Sequence, residues 1–123
     1  MKIRIKDNSV RFRLTQIEVK TLSEKGHVEA HTDFGDGKFT YQVSLKENLI
    51  TLKASFSNGV VGMEVPKKWG EDWYENDVVG IDHAQPLKND EELYLLLEKD
   101  FTCLDNTLED QSDNYPNPKL QSS

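Results

Sequence analysis

One cysteine, Cys103, stands in 123 residues, so the chain cannot form an internal disulfide, and this suits a reducing compartment. Long apolar runs are missing too. The longest runs from Leu93 to Leu97, whereas a membrane-spanning helix needs about 20 apolar residues. The opening Met1-Lys2-Ile3-Arg4-Ile5-Lys6 alternates charge with apolar residues and offers no continuous signal-peptide core, which predicts a cytoplasmic protein. No Asn-x-Ser/Thr acceptor occurs. Positive net charge is absent as well. At −7 the chain would be repelled by a phosphate backbone, which argues against nucleic acid as a partner. Phosphate-cradling glycine loops, Ser-His-Asp spacing and zinc-finger cysteine sets are all lacking.

What is present is a lean composition for one modest core, 36% hydrophobic and 30% charged, at the usual length of one domain. The charge is uneven. Residues 1–20 hold six Lys/Arg against two Asp/Glu, an excess of +4, and residues 83–123 hold three against nine, an excess of −6. Such asymmetry predicts that the two ends pair internally or that they form separate interaction surfaces.

Hairpins organise the chain. Ile3 and Ile5 alternate with Lys2, Arg4 and Lys6. After Asp7-Asn8-Ser9, Val10, Phe12 and Leu14 alternate with Arg11 and Arg13. Matching apolar faces sets Ile5 opposite Phe12, Ile3 opposite Leu14, Lys6 opposite Arg11 and Arg4 opposite Arg13. A helix follows, with Thr15 and Glu18 as a capping box, Gly26 as its left-handed end, and Ile17 and Leu22 on its apolar side. Asp36-Gly37 predicts a two-residue turn that pairs Phe34 with Phe39 and Val28 with Leu45. Asn58-Gly59 predicts another, pairing Phe56 with Val61 and Lys53 with Glu64.

Pro66 suits the start of a short helix carrying Trp69 and Trp73 on one face, weakened by Gly70. Val78 to Ile81 and Leu93 to Leu97 read as two more strands. No internal repeat occurs beyond the recurrence of hairpins. The expected fold is α+β. It comprises an antiparallel sheet of about six to eight strands, open or curled toward a barrel, one N-terminal helix and one short helix. Residues 1–100 form the single domain of this reading, and 101–123 an acidic, Pro/Asn-rich extension packed on it.

Three clusters could carry chemistry. Arg4, Lys6, Arg11 and Arg13 put like charges opposite one another, which is unfavourable unless something offsets it. Acids on a neighbouring strand, or the late Glu98, Asp100, Asp105, Glu109, Asp110 and Asp113 folded back, would neutralise them; an anion or a docking partner would be the functional alternative. His27, Glu29 and His31, with Asp33, share one strand face at steps of roughly 6.6 Å. Imidazole and carboxylate suit zinc, iron or manganese. A solvated polar face is the plain alternative, and no cofactor is predicted beyond that divalent metal. Cys103 sits among carboxylates, which raise a thiol pKa and fit a buried structural cysteine better than a nucleophile.

Lys2 to Leu14 at the start, with Glu98 to Leu104, Glu109 to Asp113 and Pro116-Asn117-Pro118 at the end, resembles small bacterial proteins, largely from the Bacteroidota, of a domain-of-unknown-function family. The resemblance covers nearly the whole chain. It implies a bacterial, cytosolic protein and carries no assigned activity or site. The Glu-x-Glu-x-Lys strand signature of a polyphosphate-binding tunnel barrel is absent; the first strand reads Lys-x-Arg-x-Lys. The sequence therefore points to a non-enzymatic binding or interaction module. Its partner would be a protein, or a second copy paired at an open sheet edge. The alternative is a small metal- or phosphate-handling enzyme using the polar sheet face.

Overall fold

A computed structural model describes residues 1–101 and 113–116. Its strands are β1 (Lys2–Lys6), β2 (Ser9–Leu14), β3 (His27–Asp33), β4 (Lys38–Lys46), β5 (Lys53–Ser57), β6 (Val60–Pro66), β7 (Gly80–Pro86) and β8 (Glu92–Lys99). Helix α1 (Gln16–Lys25) follows β2 and helix α2 (Lys67–Trp73) follows β6. The fold is α+β, and every strand belongs to a hairpin. The single antiparallel sheet does not form, however, and no barrel closes. Two mixed four-stranded sheets stack instead, ordered β1-β2-β8-β7 and β3-β4-β6-β5. Each is made of two antiparallel hairpins whose second strands lie side by side in parallel, β2 with β8 and β4 with β6. Turn chemistry specifies each hairpin locally, but the joining of hairpins is a long-range event that no turn residue encodes.

Registers follow the turns. Asn58 and Gly59 both take positive φ, 51° and 76°, and the pairs Phe56↔Val61 and Lys53↔Glu64 form as the dipeptide predicts. Glu64 then makes its ion pair with Lys46 of β4, at 3.4 Å. The first hairpin is tighter than expected. Asp7, at φ 48°, and Asn8 form the loop, Ser9 Oγ donates to the Lys6 carbonyl at 2.6 Å, and the pairs become Ile5↔Val10, Ile3↔Phe12, Arg4↔Arg11 and Lys2↔Arg13. The second hairpin is looser. Asp33 Oδ1 accepts from Gly35 N at 2.8 Å, Gly35 takes φ 83°, and Phe34 N donates to Gly37 O, making a four-residue loop in place of the Asp36-Gly37 turn. Thr32↔Phe39 and Val28↔Val43 replace the expected pairs. Both slips are of two residues, so no side chain changes face.

The capping box and left-handed Gly26 of α1 form as read. Its apolar side is Val19 and Leu22, both fully buried, whereas Ile17 is 65% exposed. Gly70 in α2 is a packing residue: a Cβ there would lie 2.1 Å from Leu45 Cδ2. The last hairpin begins later than its apolar run, at Gly80, and leaves Val78 and Val79 exposed.

Inward-facing Phe12, Leu14, Leu95 and Leu97 of one sheet meet Val43, Met63 and Val65 of the other. Val19, Leu22 and Trp73 close one end of this core. Along one side the two edges are stitched together: the Gln85 amide on β7 accepts from Ala54 N at 2.7 Å and donates to Ala54 O at 3.1 Å on β5. No helix among the described residues is long and apolar enough to cross a membrane.

Gly80→Ala is expected to destabilise the protein by about 1–3 kcal/mol in urea unfolding, because the new methyl would sit 2.3 Å from the Leu97 carbonyl oxygen. Gly37→Ala, with open space around it, should stay within about 0.5 kcal/mol of the parent. Equal effects would refute the β7–β8 packing.

Candidate functional site at the open end of the sandwich

Parallel pairing of the second strands dictates where the turns go. Both helices leave from one end of the sandwich. All four hairpin connections, near residues 7–8, 34–37, 58–59 and 87–91, gather at the other. The helix end is closed and the turn end is open. An opening of about 400 Å³ lies between the sheets there, lined chiefly by Ile5, Val10, Phe39, Phe56, Leu87 and Leu93. Each hairpin places one large apolar side chain in solvent at this end: Ile5 at 57% exposure, Phe34 at 70%, Phe56 at 68% and Leu87 at 41%. Burying such residues is worth about 1.5–3 kcal/mol apiece, so a cluster of them is costly unless covered. Of the two polar residues at the mouth, Ser55 and Gln85, the latter is already spent on Ala54.

Strand β1 forms one wall of this mouth and also carries the basic face. Its period of two points Ile5 inward and Arg4 and Lys6 outward. Arg4, Lys6, Arg11 and Arg13 do come together on the outer face of the β1-β2-β8-β7 sheet, over shallow depressions of about 200 and 160 Å³. Acids on the neighbouring strand offset half of them. Glu98 of β8 sits 3.4 Å from Arg11 and 2.9 Å from Arg13, and Asp100 sits 3.2 Å from Lys2. Arg4 and Lys6 have no ion pair or side-chain hydrogen bond among the described residues. Beside this patch, Tyr94 donates to Asp82 at 2.7 Å, and that bond raises the phenol above its ordinary value.

His27, Glu29 and His31 lie on β3, in the other sheet from the basic residues. His27 Nδ1 meets Ser44 Oγ at 2.7 Å and Nε2 meets Glu29 at 2.8 Å, so both ring nitrogens are engaged, while His31 is exposed. Among the described residues no three His, Cys, Asp or Glu side chains are grouped to hold a metal. Cys103, Asp105, Glu109 and Asp110 fall outside the described residues. A depression of about 670 Å³ between the β4–β5 connection and α2 includes Lys67, which is already paired: it holds Glu47 at 3.0 Å and Glu71 at 3.8 Å.

Near the helix end, residues 113–116 lie across the start of α1. The Asp113 carbonyl accepts from Gln16 N at 3.0 Å and Tyr115 N donates to Asp100 O at 2.7 Å. Beneath them lies Lys99, buried at the end of β8. Its Nζ donates to the Asn76 carbonyl at 2.7 Å, 5.8 Å from the Trp73 ring centre and 5.1 Å from that of Tyr115. Burial pushes this amine down, against the pull of Asp77. Burial pushes the Tyr115 phenol up to about 12, helped by Tyr74 and Asp113, and its oxygen finds no hydrogen-bond partner among the described residues. Nothing in the sequence marks this cage, because a lysine after an apolar strand ordinarily reaches solvent.

The architecture defines a mixed-sheet α+β sandwich with one open end. The chain belongs to a family of unknown function, DUF7009, which it matches over residues 1–119. No curated protein and no solved structure matches it.

Glu98→Gln leaves Arg11 and Arg13 uncompensated and should cost up to about 1 kcal/mol at low salt. That difference should largely vanish near 1 M salt, where screening acts within about 3 Å. A loss that ignores salt would argue against the pairing. The Tyr115 proton supplies a second test. Its folded pKa lies above the unfolded 10, so its contribution is full below pH 10 and is lost as pH rises toward 12. Wild type should therefore lose stability more steeply than Tyr115→Phe across that window, while at pH 7 the variant, relieved of an unpartnered hydroxyl, is no less stable. Parallel curves from pH 10 to 12 would contradict the burial.

Proposed function

We propose that this domain is a non-enzymatic binding module and that the open end of its sandwich is the face it presents to a protein partner. The observation that carries the reading is the convergence of Ile5, Phe56 and Leu87 around an apolar opening, with Phe34 exposed in the remaining hairpin loop. Four independent turns have each left a large apolar residue in solvent at one end, although the opposite end is plugged by helices. Loop clusters at the end of a rigid sandwich are a common place for recognition, since the sheets hold the loops still while the loops vary. The basic strip of Arg4 and Lys6 beside the mouth adds a charge preference. An anion-handling role would use that strip alone and leave the apolar mouth unexplained.

A photocrosslinking phenylalanine analogue placed at Phe56 or Phe34 should capture a discrete protein adduct in cells. The same analogue at exposed His31 or Lys20 should not. Phe56→Ser with Leu87→Ser should abolish the adduct formed from position 34 while leaving the fold intact by circular dichroism. Equal capture from His31, or no adduct at the open end, would overturn the reading.

A further inference from the structure

We infer that the partner segment is an extended strand in which acidic and apolar residues alternate, and that it adds to the β1-β2-β8-β7 sheet beside β1. The inference rests on the binding-module reading above and specifies the ligand of that site.

Three observations converge on β1. First, it is an edge strand. On the other side of the sandwich, β7 and β5 are tied together through Gln85 and Ala54, whereas β1 pairs only with β2. Among the described residues no further backbone hydrogen bond reaches Ile3 to Lys6. Antiparallel pairing leaves the N–H and C=O of every second residue of such a strand pointing outward, ready for another strand. Second, the outer face of β1 is positive and, among the described residues, uncompensated at Arg4 and Lys6, while Glu98 and Asp100 are already engaged with Arg11, Arg13 and Lys2. Third, the inner face of β1 is apolar and under-covered: Ile3 is half-buried and Ile5 mostly exposed, and Ile5 opens onto the mouth beside Phe39.

A strand laid beside β1 meets these demands only with a matching period of two. Residues opposite Arg4 and Lys6 must be acidic, and those opposite Ile3 and Ile5 must be apolar. The apolar ones extend the inner face toward the opening, and the acidic ones lie over the basic strip. Main-chain bonds along β1 would supply affinity and the alternating side chains specificity, as in other strand-addition complexes. A second copy of this chain is the wrong occupant for this edge. Pairing β1 with β1 would set Lys2, Arg4 and Lys6 against the same residues, and like charges directly opposite are unfavourable. The chain as a whole, at −7, repels acidic segments, so this strip is a local attractor on a repelling surface.

The test uses the full chain and a fluorescein-labelled peptide of alternating glutamate and valine, followed by anisotropy. Two further peptides are compared: one of the same composition with the glutamates and valines in separate blocks, and one with alternate backbone nitrogens methylated. The alternating peptide should bind saturably and weaken with added salt. The blocked-order and the methylated peptides should each bind at least about tenfold more weakly, and Arg4→Glu with Lys6→Glu should weaken the parent peptide by a similar factor. Equal binding of the methylated peptide, or of the blocked one, overturns strand addition, as does indifference to the Arg4/Lys6 reversal. If no peptide binds while Phe56 crosslinks persist, this inference fails and the binding-module reading stands. If the crosslinks are absent, that reading fails on its own account.

Discussion

The structure depends on the parallel contact between β2 and β8. It brings the first hairpin and the last side by side, with Phe12 beside Leu97 and Val10 beside Leu95, although most of the chain lies between them. The entropy of closing so long a loop grows only slowly with its length, and burial of four large apolar side chains along the seam repays it. Everything else is hung from this contact. The segment between the two hairpins builds the second sheet, and α1 and α2 carry the chain from one sheet to the other and back. Because β4 and β6 repeat the same parallel arrangement, the two sheets share one plan, and their turns face one way.

The same contact offsets part of the charge asymmetry of the sequence. Glu98 and Asp100, at the end of β8, lie beside the basic start because β8 is the neighbour of β2. Glu98 meets Arg11 and Arg13 directly across that boundary, and Asp100 reaches Lys2. Among the described residues, neutralisation on β1 reaches Lys2 and stops short of Arg4 and Lys6, on a strand with a neighbour on one side only. That Arg4 and Lys6 find no counter-ion among the described residues follows from strand order: an inner strand has two flanks from which to collect counter-ions, and an edge strand has one. Lys99 shows the opposite case, a cation drawn inside and held by a carbonyl and two aromatic rings.

Much of the local structure was legible from residues alone. The capping box of Thr15 and Glu18, the left-handed Gly26 and the Asn58-Gly59 turn each depend on neighbours within four positions, and each formed as read. The other two hairpin registers slipped by two residues. There a side chain beside the loop decided it: Ser9, read as part of the turn, pairs with Lys6 and closes onto its carbonyl, and Asp33 caps Gly35. Faces survived those slips because the period of a strand is two. The apolar side of α1 was misjudged at Ile17, since a short helix can turn either of two stripes inward and the sheet beneath it chooses.

By itself, then, the sequence determined which residues form hairpins, which face of each strand is apolar, where α1 begins and ends, and which cations share a face. These are short-range matters of turn dihedrals, alternation and capping. Only the tertiary structure decided that the hairpins join through parallel second strands into two sheets, and that Ile5, Phe56 and Leu87 meet at one opening. It also decided that β1 is a charged edge strand among the described residues and that Lys99 is enclosed by Trp73 and Tyr115. These outcomes depend on which hairpin lies beside which. That choice comes from the summed burial of faces remote in sequence, and no local pattern records it.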